Sequence, residues 1–486
     1  MKVLILPIDN RPVTCVFPRL LAELAGLEAL LPPRRMLGGL TDPANPGALA
    51  SFVEASVRAD QPDALLLCLD SLIYGGLVSS RRSEDPLKTL LDRTACLDRW
   101  RRQLGPARAI FGQSSIMRIS DNYDATEEKP YWARFGREIF AWSGLLDRLA
   151  RGEKLAPGTL AAAEMRIPPD IRQDYLQTRW RNHQVNRHLL EHAAKGNLDF
   201  LAFSLDDSGA SGLNRLERDR LAGKAADLGL EDKVFAYPGA DEVLMALLAR
   251  LLARVAGVRP AASVLFSPQQ AADCQSLYEG QTVGQTVASQ LLACGITGDG
   301  VPDFIVIVHG KPGIQGDHVL LPGHKDTRNL DTSRSVASTL ALLESANKPV
   351  VLCDVAYANG ADPALVAALV DRRELVEKLW GYAGWNTTGN AVGSALAMGV
   401  SRWFALKQGA AASGQAVKRC LFVRFCDDWA YQAMVRKSLT RQVDAATLAA
   451  LMSPHVATIA GALGFRPDKV AFRQPWQRTF EIEVDI

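Results

Sequence analysis

The sequence lacks the short patterns that mark several common classes of enzyme. It has no Gly-x-Gly-x-x-Gly fingerprint, no Gly-x-x-x-x-Gly-Lys-Ser/Thr loop and no Gly-x-Ser-x-Gly turn. Their absence argues against dinucleotide, nucleoside-triphosphate and serine-hydrolase sites. The net charge is also small, +2 over 486 residues. Nucleic acid is therefore not the expected partner, because proteins that bind it usually carry a strongly basic domain.

Paired cysteines and long apolar runs are missing as well. None of the eight cysteines forms a Cys-x-x-Cys pair, and Cys68 and Cys353 lie in apolar strand candidates. Free buried thiols are expected rather than disulfides or a zinc cluster. No segment approaches 18 uninterrupted apolar residues, the length that spans a bilayer, and Pro7 and Asp9 come too early for a signal peptide. These features predict a cytoplasmic protein with no membrane partner.

Apolar strand candidates alternate with helical patterns, which predicts an α/β fold with a largely parallel sheet. Eight candidates favour a (β/α)8-barrel-like catalytic domain. Leu27–Leu31 and Ala262–Phe266 are possible further strands, so a doubly wound open sheet in two lobes is the alternative. The eight candidates cover residues 2–8, 64–70, 108–113, 199–206, 233–237, 303–309, 349–354 and 380–384.

Segment composition predicts how the chain divides. Residues 1–400 form the expected α/β catalytic domain, and the long polar stretch at about 121–198 is interpreted as an insertion over the strand exits. Residues 401–486 are expected to be a mainly helical region packed on that domain.

The most informative segment is the apolar run Phe200–Leu205, which ends in Asp206 and Asp207 and then a glycine-rich turn. Active sites of α/β folds lie where such strands end. Two carboxylates about 4 Å apart repel by roughly 4 kcal/mol at an effective dielectric of about 20. One carboxyl can then keep its proton while its neighbour is charged. The structural alternative is that Asp206 caps a helix and Asp207 faces water.

Other predicted strands also end in acids, amides and aromatic residues, which suit a small-molecule pocket. Each block has a structural alternative: an Asp9–Arg11 clamp, an Asp241 helix cap, or a buried Trp385 at a capped helix start. Asp241-Glu242 is also a second candidate for the catalytic pair. The candidate substrate-binding residues are Asp9, Arg11, Asp70, Tyr74, Tyr237, Asp241, Glu242, Tyr357, Asn359, Trp385, Asn386 and Asn390.

Metal-ligand spacing is weak. His188 and His192 have i,i+4 spacing, but the sequence has no His-Glu-x-x-His. A diffuse set of Asp206, Asp207, Glu242 and either His309 or His324 is the alternative metal site. We expect no metal and no other cofactor.

The blocks together resemble a bacterial family, domain-of-unknown-function family 4127. One departure is visible, because the family pattern near the start is Asp-Asp-Arg-Pro and this chain has Asn10 in place of the second Asp. A catalytic role for position 10 is therefore in doubt. The matching segments are residues 7–13, 69–81, 205–207, 237–242, 354–360, 381–387 and 475–481.

The resemblance implies a glycoside hydrolase that removes a terminal β-linked N-acetylhexosamine, with N-acetylgalactosamine favoured. In substrate-assisted retaining catalysis the sugar's acetamido oxygen attacks the anomeric carbon. Asp206 would orient the acetamide and Asp207 would act as general acid and base. Tyr237 or Tyr357 would bind the acetamide oxygen, and Trp385 would form the floor of the sugar site.

Two other functions stay open, a metal-dependent hydrolase and a non-catalytic sugar-binding protein. In each case the expected partner is a small carbohydrate. The sequence does not determine the exact sugar, its linkage, the oligomeric state or the pathway. The mechanism also has one geometric requirement. Neighbouring residues of a regular strand point to opposite faces, so the chain has to leave β geometry at Asp206.

Overall fold

Strands and helices alternate along the chain in the computed structural model, which describes residues 1–320, 325–409 and 413–486. The strands are β1 (Lys2–Leu6), β2 (Glu28–Leu30), β3 (Ala64–Cys68), β4 (Ala109–Ile116), β5 (Phe200–Leu205), β6 (Val234–Pro238), β7 (Ala262–Ser267), β8 (Phe304–His309), β9 (Gly316–Asp317), β10 (Val350–Asp354), β11 (Tyr357–Ala358), β12 (Leu379–Ala383), β13 (Ala471–Arg473) and β14 (Glu483–Asp485).

The first half of the chain contains helices α1 (Pro12–Leu24), α2 (Pro46–Ala59), α3 (Leu69–Ile73), α4 (Leu77–Arg82), α5 (Leu87–Thr94), α6 (Cys96–Leu104), α7 (Trp132–Ala150), α8 (Thr159–Glu164), α9 (Pro169–Ala194) and α10 (Leu213–Asp227). The second half contains α11 (Val243–Ala256), α12 (Val283–Ala293), α13 (Ser333–Ser345), α14 (Pro363–Val370), α15 (Arg373–Val376), α16 (Thr388–Lys407), α17 (Ser413–Arg424) and α18 (Ala445–Leu463). A π-helix, Phe425–Val435, continues directly from α17.

The first compact unit of the chain contains a six-stranded sheet. The unit comprises Met1–Asn10, Ala29–Leu244 and Tyr278–Gly280, and its strand order is β2-β1-β3-β4-β5-β6. The pairs from β1–β3 to β5–β6 are parallel. β1 lies between β2 and β3, so the order changes direction there. In open parallel sheets, ligands bind beside the carboxyl ends of the strands at such a point.

Burial explains why the strands of this sheet are continuous apolar runs. All five residues of β3 and all six of β5 are buried. A parallel sheet covered on both faces requires apolar side chains on both sides, so its strands do not alternate with polar residues. The polar residues come where the strands end, and there the candidate site begins.

The second compact unit contains a four-stranded parallel sheet, ordered β12-β10-β8-β7. It comprises Arg11–Glu28, Met245–Leu277 and Gln281–Ile486. β9 and β11 form a small parallel pair, and β13 and β14 an antiparallel one. The fold is therefore mixed α/β with parallel sheets, as the alternating pattern predicts.

Small residues let α16 pack closely on this sheet. A Cβ at Gly381 would lie 2.3 Å from the carbonyl oxygen of Ala395, and one at Gly399 would lie 2.3 Å from a methyl carbon of Val351. Neither position has room for a larger side chain. The small-residue composition of this helix therefore serves its packing.

The strand pairing does not confirm a closed (β/α)8 barrel. Both segments that left the strand count open contain strands, Glu28–Leu30 at one edge of the first sheet and Ala262–Ser267 at one edge of the second. Three helices, α7, α8 and α9, occupy the stretch interpreted as an insertion. The division proposed at about residue 400 falls within the second unit, and a helical region from 401 to 486 packed on a catalytic domain of residues 1–400 stays a prediction.

Helix α18 is the one helix among the described residues that is long and apolar enough to cross a membrane by length and composition. It packs against α14, α15, α17 and the π-helix. A cytoplasmic location stays a prediction. All eight cysteines are free and buried, which confirms that expectation.

Candidate functional site

The chain leaves β geometry directly after β5, as the mechanism inferred from the sequence requires. β5 ends at Leu205, and Asp207 has a φ of 30°, in the left-handed region. The carbonyl oxygen of Asp207 accepts a hydrogen bond from the N–H of Ile119, 3.3 Å away. A non-glycine residue with positive φ costs free energy and persists only where its surroundings hold it.

Two arginines hold the carboxylates of this pair. Arg81 Nη2 donates to Asp206 Oδ2 at 2.5 Å, and Arg118 Nη1 lies 3.3 Å from Asp207 Oδ2. The Ser120 hydroxyl also donates to Asp207 Oδ2, at 3.1 Å. The side chains of Asp206 and Asp207 are 17% and 24% exposed. Both are anchored and both are reachable from solvent.

Two further carboxylates complete the cluster around these arginines. Glu127 Oε2 lies 3.2 Å from Arg81 Nη1 and 3.2 Å from Arg118 Nη1. Glu128, which is buried, accepts from Arg118 Nε at 2.7 Å. Both guanidinium groups are therefore fixed by several oxygens each. Such a network holds the Asp206 and Asp207 carboxyls in place through side chains of distant parts of the chain.

The two acids of the pair have different environments. Burial and, to a smaller extent, the charge of Asp206 raise the pKa of Asp207 to about 6, against the opposing effect of Arg118 and Arg81. Asp206 has the closer guanidinium contact. A carboxyl that titrates near neutrality beside an ion-paired carboxylate is the arrangement that acid catalysis requires.

Asp9 and Asp70 follow β1 and β3 and are both buried. Asp70 lies in α3, where its Oδ2 accepts from the N–H of Ser115 at 2.8 Å. Burial raises the pKa of Asp70 to about 6. The hydrogen bond from Ser115 to Asp70 connects the end of β3 to β4. Tyr74 lines a cavity of about 350 Å³ together with Arg82 and Arg93.

The second candidate catalytic pair, Asp241-Glu242, is buried. Glu242 Oε2 accepts from the N–H of Ala240, two residues earlier, at 2.9 Å. Helix α11 begins at the next residue, Val243. Tyr237 lies on β6 in register with Ser204 of β5. The Glu242 contact gives that carboxylate a local structural role, so Asp206-Asp207 is the better catalytic candidate.

Six of the predicted binding residues belong to the second unit. Arg11 forms an ion pair of 3.6 Å with Glu481 and lies over the ring of Trp476. The Tyr357 hydroxyl donates to the carbonyl oxygen of Leu330 and accepts from its N–H. The remaining four residues are Asn359, Trp385, Asn386 and Asn390.

These four residues form a locally connected group. Asn359 and Asn386 both have positive φ, 61° and 64°, and the N–H of Asn359 donates to the Asn386 carbonyl oxygen. Trp385 is buried with its ring 6.1 Å from that of Phe480. Asn390 is buried in the first turn of α16. The structural alternative proposed for Trp385, a buried side chain at a capped helix start, is confirmed, because Thr387 caps α16.

A buried polar cluster lies where the strands of the second sheet end. His309 Nε2 lies 3.0 Å from Asp362 Oδ2, and its Nδ1 lies 2.8 Å from the Thr339 hydroxyl. Asp354 Oδ2 accepts from the Asp362 N–H at 2.8 Å and from the Tyr382 hydroxyl at 3.3 Å. Burial is the main cause that raises the pKa of Asp354 to about 7.

We expect Asp354 to make stability fall as pH rises. Its pKa is about 7 in the folded chain and ordinarily 3.8, so the folded state binds the proton more tightly. The favourable contribution is complete below about pH 4 and is lost by about pH 7, a change of roughly 4 kcal/mol at most. Asp354→Asn mimics the protonated form and should flatten this part of the curve in denaturant unfolding between pH 4 and 8. Asp371→Asn, an exposed carboxylate, is the control, and parallel curves for wild type and Asp354→Asn would contradict the assignment.

The residues of the alternative metal site do not form a metal-binding group where the structure describes them. Across residues 1–320, 325–409 and 413–486, no group of three or more His, Cys, Asp and Glu side chains has suitable geometry. His309 binds Asp362 and Thr339 instead. His324 lies outside the described residues.

Sequence reasoning missed the arginines and glutamates around the pair. Arg81 is the last residue of the block 69–81, and Glu127-Glu128 lie in the polar insertion. These segments were recognised in the sequence, but their relation to the Asp206–Asp207 pair was not. Nothing in the spacing connects Arg81 with Asp206, 125 positions away. The segment 425–432 contains two further adjacent acids, Asp427 and Asp428. It is a π-helix, and both acids are buried against Arg424.

The fold and this cluster define an α/β protein with an acid–guanidinium site at the carboxyl end of a parallel sheet. The chain belongs to the DUF4127 family, described as proteins of unknown function, whose family model matches residues 3–485. Comparison with curated proteins and with solved structures found no match.

Proposed function

We propose that this protein is a glycoside hydrolase that removes a terminal β-linked N-acetylhexosamine, N-acetylgalactosamine in particular. The observation that carries the proposal is the Asp206–Asp207 pair. One acid forms an ion pair with Arg81, its neighbour has a pKa of about 6, and both are partly exposed at a strand exit. Paired carboxyls with separated environments are the usual basis of acid and base assignments.

The contacts of the two acids support a different role for each. Asp207 protonates the leaving oxygen and then, as carboxylate, activates water. Asp206, fixed by Arg81, accepts the acetamide N–H and orients the acetamide oxygen toward the anomeric carbon. That oxygen forms the bond to carbon as the glycosidic bond breaks, and water later opens the cyclised intermediate. This is the substrate-assisted exception to the two-carboxylate scheme.

Tyr237 is the better candidate than Tyr357 for binding the acetamide oxygen. Tyr237 lies on the strand next to β5 in register with Ser204, two residues before Asp206. The Tyr357 hydroxyl already donates to Leu330 and accepts from it, and one hydroxyl has only one proton to donate.

The charges of the cluster favour a neutral sugar over an anionic one. Arg118 Nη1 is within 4 Å of oxygens from Glu127, Asp206 and Asp207. A phosphate or carboxylate on the substrate would have to compete with these oxygens for the same guanidinium. The proposal depends on the carboxyl end of β5 and not on closure of an eight-stranded barrel.

A screen of nitrophenyl glycosides, with and without a chelator, tests the proposal. We expect the β-N-acetylgalactosaminide or β-N-acetylglucosaminide to be hydrolysed at the same rate with and without chelator, because the acids described above supply the chemistry. The matched control is the nitrophenyl β-galactoside, which lacks the acetamido group.

Other outcomes would point to the other functions. Loss of all activity in chelator that zinc or manganese restores would favour a metal-dependent hydrolase. Saturable binding of N-acetylgalactosamine with no hydrolysis of any glycoside would favour a non-catalytic sugar-binding protein.

A further inference from the structure

A chain of stacked cations and aromatic rings lies in the second unit, and none of its members is an acid–base residue of the proposed function. The guanidinium carbons of Arg11 and Arg478 lie 5.0 and 4.6 Å from the centre of the Trp476 ring. Those of Arg478 and Arg436 both lie 4.9 Å from the centre of the Phe480 ring. Three guanidinium groups thus alternate with two aromatic rings.

The three arginines differ in their counter-ions. Glu481 accepts from Arg478 Nε at 2.9 Å and lies 3.6 Å from Arg11. Arg436 donates from Nη1 to the side-chain oxygen of Gln432 at 2.8 Å. Among the described residues, no carboxylate oxygen lies within 4.0 Å of the Arg436 guanidinium. The direct partners of Arg436 are therefore a neutral hydrogen-bond acceptor and an aromatic ring, while the charges of Glu481 and Asp317 act on it from beyond ion-pair distance.

Burial makes this arrangement costly without a bound anion. Arg436 is half-buried, and burial lowers the pKa of its guanidinium. Buried charges are normally paired, because losing hydration is expensive. Stacking on Phe480 covers one face of the guanidinium and leaves its N–H groups, which point along the edges, able to donate. Those edges match the two oxygens of a carboxylate or a phosphate.

The surrounding backbone is unusual in two independent ways. Trp476 and Gln477 are consecutive non-glycine residues in the left-handed region, with φ of 57° and 53°. Strain of this kind is found disproportionately at binding sites. Gln432 lies in the π-helix that ends at Val435, immediately before Arg436, and π-helical turns are frequent at functional sites.

We propose that the second unit binds a small molecule through a carboxylate or phosphate group, with Arg436 as the anchoring cation beside Phe480 and Trp476. The two oxyanions share the chemistry that the guanidinium edge recognises. This site does not rest on the proposed glycosidase activity, because none of its residues takes part in the acid–base chemistry.

Calorimetric titration of the full chain with inorganic phosphate, and separately with acetate, tests the proposal at constant ionic strength set by chloride. We expect saturable binding of at least one oxyanion. Arg436→Gln should weaken it at least about tenfold, since a charged hydrogen-bond donor is lost. Lys437→Gln removes the same charge from the adjacent exposed residue and should leave the affinity unchanged.

The affinities for phosphate and for acetate are then compared. The anion that binds more tightly indicates whether the ligand carries a phosphate or a carboxylate. Arg436→Lys keeps the charge without the planar fork and should bind more weakly than wild type. If circular dichroism shows that Arg436→Gln is unfolded, the anion affinity of Arg436→Lys replaces it as the test of the role of Arg436. Failure of both anions to bind, or equal affinity in wild type and in a folded Arg436 variant, would overturn the proposal whatever the result of the glycoside screen.

Discussion

Asp207→Asn should lower kcat/KM by about 100- to 10,000-fold on a glycoside with a poor leaving group, the range ascribed to one positioned acid or base. The loss should be much smaller for a nitrophenyl glycoside, whose leaving group needs little protonation. Asp206→Asn should lower the rate on both substrates, because the acetamide has to be oriented whatever group leaves. Steady-state kinetics on the two substrates separates the roles. Asp124→Asn, an exposed carboxylate of the neighbouring loop, is the matched control.

The dependence of kcat/KM on pH is an independent test of the role of Asp207. An acid catalyst has to be protonated, so kcat/KM on the poor leaving group should fall as pH rises through the pKa of Asp207, about 6. This alkaline limb should disappear in Asp207→Asn. If both variants keep near-wild-type rates on the poor leaving group, the pair is structural, and Asp241-Glu242 becomes the candidate.

Replacing the 2-acetamido group of the substrate by a hydroxyl should reduce kcat by at least about 100-fold, since the attacking atom is then absent and the loss appears in the chemical step. A thiazoline that mimics the cyclised intermediate should bind at least about 100-fold more tightly than the product sugar. Inhibition constants and paired kinetics on the galactoside and the N-acetylgalactosaminide measure both effects. Equal turnover of the two glycosides with no thiazoline inhibition would exclude substrate assistance while leaving glycosidase activity open.

The strands were predictable because a strand that is buried on both faces is a continuous apolar run, which can be recognised from the local sequence alone. The runs 64–70 and 199–206 contain β3 and β5, Ala64–Cys68 and Phe200–Leu205. Strand order leaves no such signal. An apolar run pairs equally well with any neighbour, so the placement of β1 between β2 and β3 depends on crossovers that periodicity does not encode. For the same reason, a count of eight runs could not distinguish one barrel from separate sheets.

In the candidate site, too, the local features were predictable from the sequence and the long-range contacts were not. Asp206 and Asp207 were predictable, because two charges after a buried strand are a local anomaly. Arg81 and Arg118 belong to other elements, and only folding brings their side chains to the pair. The π-helix could not be predicted either, since its residues have ordinary helical preferences that do not distinguish a π-helix from an α-helix. Within it, Asp428 forms a buried ion pair with Arg424 and accepts a hydrogen bond from the Gly384 N–H, 44 positions earlier in the chain.

At position 207 the residue that would give the highest thermal stability differs from the residue that the proposed chemistry requires, because the backbone there is left-handed. With its φ of 30°, glycine would occupy this conformation with less strain than any residue that carries a Cβ. Selection for thermal tolerance alone would favour glycine there, and selection for proton transfer would favour the carboxyl. An engineer seeking a more heat-resistant form of this protein should therefore leave position 207 unchanged and look for stabilising substitutions elsewhere in the chain.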